Sequence, residues 1–152
     1  MKKVLKALSQ GAAALTVATG LGMAALPAHA ESTYTKEHPL KVALVLNGTL
    51  GDKSFFDSAQ RGMDQAMKEL PVTVKTIEPG YDRGKWQPAL ADAADGDYDV
   101  IIAGTFDMAG FVADIAPQYP DKKFILFDDT VDYSKGGFDN VLSVQYRTST
   151  AA

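Results

Sequence analysis

Two hydrophobic periods alternate along residues 40–146, and each change of period marks an element. Leu40 to Leu46 is nearly continuous in apolar residues, as in a parallel strand covered on both faces. A polar loop, Asn47 to Lys53, follows. From Phe55 to about Leu70 the apolar residues Ala59, Met63, Ala66, Met67 and Leu70 fall at steps of three and four, which predicts a helix with one buried face. Arg61, Asp64 and Lys68 take its wet side, and Pro71 helps to end it. Ser54 and Asp57 are spaced as a capping box at its start. Val72 to Ile77 predicts a second strand, rich in β-branched residues. A turn over Glu78–Asp82 leads to a helix over Lys85–Ala94, with Pro88 tolerable in its first turn and Leu90, Ala93 and Ala94 facing inward. Val100 to Ala103 is a third strand, and Gly104–Asp107 a loop. A helix over Met108–Tyr119 places Phe111, Ile115 and Tyr119 on one side. Phe124–Phe127 and Val141–Tyr146 complete five strands, separated by Asp128-Asp129 and a loop containing Gly136-Gly137. The order βαβαβαββ predicts an α/β fold with a doubly wound, mostly parallel sheet.

The first thirty residues have a different character. Lys2, Lys3 and Lys6 precede a small, apolar stretch from Ala7 to Leu26, and Ala28-His29-Ala30 is an A-x-A site. This is the pattern of an export signal cleaved after Ala30. The expected organisation is a signal over residues 1–30, a polar, flexible leader over 31–39 and one domain from residue 40 to 152. The chain has no cysteine. That excludes disulfides, thiolate metal sites, a cysteine nucleophile and lipid attachment through a cysteine. The expected location, reached through the export signal, is the periplasm or another extracytoplasmic space, in association with the plasma membrane or free of it.

All nineteen acids and twelve of the fifteen bases lie after residue 30, a net charge of −7 for that part. An acidic domain is a poor match for nucleic acid or an anionic membrane surface. Only His38 remains among histidines after residue 30, in the leader. A Ser-His-Asp triad or a His-ligated metal site inside the domain is thereby excluded, and no catalytic residue, metal or cofactor is expected. Gly48-Thr49-Leu50-Gly51-Asp52-Lys53-Ser54 imitates a phosphate-binding loop. It places Asp52 where that motif needs glycine before the lysine, and a carboxylate there repels phosphate.

Candidate chemistry gathers at the carboxyl ends of the strands, the edge where open α/β sheets bind ligands. Asn47, Asp107, Asp128 and Asp129 stand there with Phe55, Phe56 and Phe106. Carboxylates accept hydrogen bonds from sugar hydroxyls, and aromatic faces stack on flat rings. The set suits a neutral, polyhydroxylated ligand with a flat part. One of Phe55 and Phe56 is expected in the core and the other at the site. Asp52 and Asp57 serve equally well as helix caps or as ligand groups. Trp86 and Tyr81 read as packing residues.

Asp52-Lys53-Ser54-Phe55 followed by Asp57-Ser58-Ala59 resembles the DKSFN-x-S-A motif of the basic membrane protein family, the PnrA-like substrate-binding proteins of ABC transporters. The resemblance continues through Tyr98–Gly104, Tyr119–Phe124 and Asn140–Arg147. It implies a type I periplasmic-binding-protein fold, of which this chain is the N-terminal lobe. In that family two lobes close on a nucleoside or similar molecule and pass it to a permease in the inner membrane. Phe55 matches the aromatic that stacks on the base, and Asn47 stands near the family's acidic residue after the first strand. Phe56 replaces an asparagine. Asp107 follows Phe106 directly, where many relatives carry the aspartate three residues later, at the position of Gly110. The expected ligand-binding set is Asn47, Asp52, Phe55, Phe56, Phe106, Asp107 and Asp128. The family's proteins are about twice this size, as two such lobes require. A fragment or truncated lobe is therefore expected, with weak binding or none by itself. A secreted hydrolase acting on nucleosides through Asp107, Asp128 and Asp129 is the alternative.

Overall fold

The computed structural model describes residues 33–146. The expected export signal and its cleavage site lie outside them. Eight regular elements follow in order: β1 (Leu40–Val45), α1 (Phe55–Glu69), β2 (Val72–Ile77), α2 (Trp86–Asp95), β3 (Val100–Gly104), α3 (Phe106–Ile115), β4 (Lys123–Phe127) and β5 (Val141–Val144). Short 3₁₀ turns at Arg83–Lys85, Ala116–Gln118 and Tyr133–Lys135 punctuate the connections. In the leader, the Thr35 amide donates to the His38 carbonyl and the His38 amide to the Thr35 hydroxyl, making one local turn.

The five strands form one sheet in the order β2-β1-β3-β4-β5, and every pairing is parallel. The expected α/β doubly wound sheet is therefore present. The crossover from β1 to β2 runs one way along the sheet, and those from β2 to β3 and β3 to β4 run the other. Right-handed crossovers then put α1 on one face and α2 and α3 on the opposite face.

The face under α2 and α3 holds the core. Ala43, Val45, Ile101, Ala103, Phe124 and Leu126 point into it from the strands, and Trp86, Leu90, Met108, Val112 and Ile115 close it from the helices. Within each of the three strands the inward residues lie two apart, as a period of two requires.

Three expectations needed correction. No residue of α1 is buried, although Ala59, Met63 and Ala66 face inward at helical spacing. The reason is its setting: α1 alone covers a face five strands wide. The capping box is built differently. Ser54 makes no side-chain cap. The Asp52 carboxylate instead accepts from the amides of Ser54, Phe56 and Asp57. Finally, α3 starts at Phe106, two residues before the expected Met108. Its buried face is Met108, Val112 and Ile115, which leaves Phe111 half-buried at the side.

Candidate functional site

In a 2-1-3-4-5 sheet the connections leave in opposite directions from β1 and β3, and the crevice outside their carboxyl ends is where ligands bind. Asn47, just beyond β1, and Thr105, just beyond β3, flank that crevice. The Asn47 Nδ2 donates to Thr105 Oγ1 at 2.9 Å. Asn47 is only 7 % exposed, and its Oδ1 is buried without a hydrogen-bond partner.

Thr105 adopts φ 77°, ψ 161°, a region open essentially to glycine alone, at a cost on the order of 1–3 kcal/mol for other residues. Among the described residues, the non-glycine residues with positive φ are Lys53, Thr105 and Asp128. They follow β1, β3 and β4, so backbone strain is collected along one edge of the sheet. Such outliers cluster at ligand clamps and active sites.

The loop after β1 is fastened by carboxylates. Asp57 accepts from the amides of Gly51 and Lys53, and Glu78 accepts from the amide of Leu50 at 2.7 Å. The three amides bonded to Asp52, that of Ser54 foremost, hold its carboxyl below the usual aspartate range. Asp52 and Asp57 therefore shape the loop from within. Gly48 is needed for a close approach: the Phe56 ring fills the place of a Cβ there, and Tyr81 Cε1 stands 3.0 Å from it.

The two phenylalanines divide differently from the expectation of one in the core and one at the site. Phe56 is half-buried beneath Gly48. Phe55 is 37 % exposed and stacks on Phe127, with ring centroids 5.6 Å apart at 25°. It also meets Phe56 edge-on at 5.7 Å. Neither belongs to the buried core.

Phe106 opens α3 and is 73 % exposed. Tyr81, read from the sequence as packing, is 68 % exposed on the adjoining loop. Trp86 does pack: it is buried, and its indole N–H donates to the Gly80 carbonyl at 2.8 Å. Asp107 pairs with Arg83, Nη1 to Oδ1 at 2.7 Å. The Arg83 guanidinium lies over the rings of Trp86 at 5.5 Å and Phe111 at 5.1 Å. Sequence reading missed Arg83, whose partners come from α2 and α3. Asp128 is exposed, and its amide donates to the Val144 carbonyl. Asp129 accepts from the Thr130 amide.

The edge thus presents a carboxylate at Asp128, two exposed rings and a strained backbone at the switch point. Among the described residues no three acidic or histidine side chains gather as a metal's ligand set. None of their helices is long and apolar enough to cross a membrane.

The family of PnrA-like ABC transporter substrate-binding proteins matches residues 40–152. The chain belongs to that family. An uncharacterized lipoprotein of Pyrococcus furiosus is 34 % identical over 122 residues, covering 79 % of this chain and 30 % of its own length. One from Pyrococcus abyssi is 31 % identical over the same span and 29 % of its length. The crystal structure of an ABC transporter solute-binding protein from Aeropyrum pernix superimposes with a TM-score of 0.64 at 33 % identity, over 72 % of this chain and 29 % of that one. A fragment of a putative lipoprotein from Peptoclostridium difficile shares the fold at 22 % identity and a TM-score of 0.60, over 74 % of this chain and 89 % of that one. The doubly wound α/β lobe expected from the sequence is thus shared with solute-binding proteins. The chain spans about 30 % of the length of the Pyrococcus relatives.

Proposed function

We propose that this protein is the extracytoplasmic solute-binding component of an ABC importer, and that the sheet edge around Thr105 forms one wall of its ligand cleft. The ligand class we assign is a nucleoside or a similar neutral, hydroxylated molecule with a flat ring. The observation that carries this reading is the strained Thr105 at the β1/β3 switch point, tied to Asn47 and followed directly by the exposed ring of Phe106. Phe106 and Tyr81 offer faces on which a base stacks. Phe55, buttressed by Phe127, is the third aromatic of the wall and the one the family motif assigns to the base. Asp128 supplies an acceptor for sugar hydroxyls, and the surrounding carboxylates disfavour anions. Asn47 and Asp52 act behind the wall, as holders of Thr105 and of the loop after β1.

Capture requires an opposing wall, which the longer relatives have sequence enough to provide. Closure of two lobes around the ligand would bury it and present the closed form to a membrane permease. Asp107 is committed to Arg83, so nothing in the geometry favours the hydrolytic alternative.

Calorimetric titration of the protein as its gene encodes it, with adenosine, guanosine, inosine and neutral sugars, tests this. Micromolar or tighter binding of a nucleoside is expected. Phe106→Ala weakens it by about 1–3 kcal/mol if the ring stacks on the base. Tight binding of a sugar with silence from every nucleoside overturns the ligand class, and unchanged affinity in Phe106→Ala overturns the wall.

A further inference from the structure

Two glycines at the ends of the switch-point strands have their side-chain space filled by rings. Gly104 closes β3 and pairs with Phe127 of β4. A Cβ on Gly104 would fall against Cζ, Cε1 and Cε2 of the Phe127 ring. Gly48, in the loop after β1, receives the Phe56 ring in the same way. Neither glycine has a positive φ, so what they supply is close approach and not an unusual backbone.

The two seated rings converge on a third. Phe127 stacks on Phe55 with centroids 5.6 Å apart at 25°, and Phe56 meets Phe55 edge-on at 5.7 Å and 79°. Both are favoured aromatic geometries. The backbone of Phe55 is held as well, because the Asp52 carboxylate accepts from the amides on either side of it, those of Ser54 and Phe56. Phe55 is nevertheless 37 % exposed. The ring is braced by two neighbours and keeps surface for a ligand. Without such neighbours an exposed phenylalanine moves between rotamers, and immobilising it on binding costs affinity.

We propose that Phe127 and Phe56, seated in Gly104 and Gly48, are positioning residues that fix the plane of Phe55 in advance for a flat ring of the ligand. In this role they depend on Phe55 being a stacking residue of the proposed cleft wall, and they add what sets its orientation. An aromatic ring that merely covers a bare glycine on the neighbouring strand accounts for the Gly104 contact. It leaves unexplained why both seated rings meet the same exposed third ring.

The test replaces Phe55 by para-fluorophenylalanine in the protein as its gene encodes it, and records the fluorine resonance without ligand. Ring currents of Phe127 and Phe56 should displace it from its position in urea. Phe127→Leu and Phe56→Leu keep apolar bulk and remove the ring, and each should bring the resonance part-way back. Phe127→Tyr keeps the ring and should hold the parent's position. Gly104→Ala leaves all three rings in the sequence and should still move the resonance, by displacing Phe127. In a Phe127→Leu background the same substitution should add little, since the two act through one contact. Affinity for adenosine, guanosine and inosine, read by calorimetry, should fall about 2- to 10-fold in Phe127→Leu, the cost of ordering one side chain on binding, and recover in Phe127→Tyr. A resonance that stays at the parent's position in both leucine variants overturns the proposal, whether or not a nucleoside binds. So does a resonance that moves while the affinity of a bound nucleoside is unchanged, since the rings then only pack. Silence of the parent protein toward all three nucleosides overturns the ligand class instead, and the fluorine resonance decides the positioning without it.

Discussion

The Asn47 side-chain amide donates to the Thr105 hydroxyl oxygen at 2.9 Å, joining the ends of β1 and β3 across 58 residues of sequence. The bond holds a β-branched residue at φ 77°, where only glycine is at ease. Asn47→Ala removes the tether and about 1 kcal/mol of net hydrogen bonding, and it also releases Thr105 from its geometry. Thr105→Gly loses the same bond but relieves the strain, so it should fall within about 1 kcal/mol of the parent protein. Urea denaturation of both variants separates the effects. A loss of more than about 2 kcal/mol in Thr105→Gly would show that Thr105 is not strained in the folded protein.

The Asp52 carboxylate receives the amides that open α1, and these bonds, Ser54's the largest, lower its pKa. The sign follows directly. In the folded protein Asp52 binds its proton less readily than in the unfolded chain, so the unfolded state takes up more protons as the solution acidifies. The stabilisation is fully present above the unfolded value, about 3.9 for aspartate, and is lost as pH falls through the lower folded value. Asp132, lowered by the Ser134 hydroxyl and amide, and Asp97, lowered by Lys41, act in the same sense. Asp52→Asn should therefore flatten the acid limb of stability. Thermal melts from about pH 6 down to about pH 2.5 read this out; an acid limb as steep as the parent's would remove Asp52 from the account.

Regular elements were legible where one face is buried. The β-branched run Val72–Ile77 matches β2 residue for residue, because burial and parallel pairing both select such residues. The edge of the sheet as the place of the site was legible for the same reason, since it follows from strand direction. Strain was not. Nothing in Gly104-Thr105-Phe106 distinguishes a threonine held at positive φ from one in an ordinary loop, because the cause is Asn47, far away in sequence. Tyr81 and Trp86, five residues apart, are equally aromatic, yet one is exposed and the other buried. That difference depends on the position of the Gly80 carbonyl, to which the indole donates. The half-covered face of α1 was equally hidden, since the helical period reports which side is apolar and not whether anything covers it.

The Arg83–Asp107 pair is partly exposed, and such pairs contribute roughly 0–1 kcal/mol. The guanidinium also packs over Trp86 and Phe111, so truncation costs more than loss of charge. Arg83→Ala should destabilise more than Asp107→Asn, and the effect of Asp107→Asn should fade in high salt. Equal losses in the two variants, measured by urea denaturation, would place the energy in the ion pair and not in the stacking. Ligand affinity in Asp107→Asn should stay within a few-fold of the parent, since its carboxylate is already satisfied by Arg83.

Asn140 is buried just before β5, and its Nδ2 donates to the carbonyls of Ala116 and Tyr119, each at 2.9 Å, with that of Lys122 at 3.2 Å. These are carbonyls at and beyond the end of α3, where helical partners run out. One side chain thus closes α3 and anchors the last connection of the sheet. Asn140→Ala removes these bonds, although the Ala116 and Tyr119 carbonyls keep the amides of Tyr119 and Lys122, at a cost of about 1–3 kcal/mol. Asn140→Asp is the sharper test, because it keeps the shape and replaces the donor with an acceptor. At neutral pH its carboxylate would face those carbonyls as like charge, so it should destabilise more than alanine does. Acidification protonates the carboxyl and restores one donor, so the deficit of Asn140→Asp should shrink as pH falls while that of Asn140→Ala does not. Denaturation midpoints at neutral pH and near pH 4.5, within about a unit of an aspartate's ordinary pKa, distinguish the two. A constant gap between the variants would mean that the Asn140 pocket recruits water or shifts to satisfy either side chain, and that the carbonyls ending α3 do not depend on this donor.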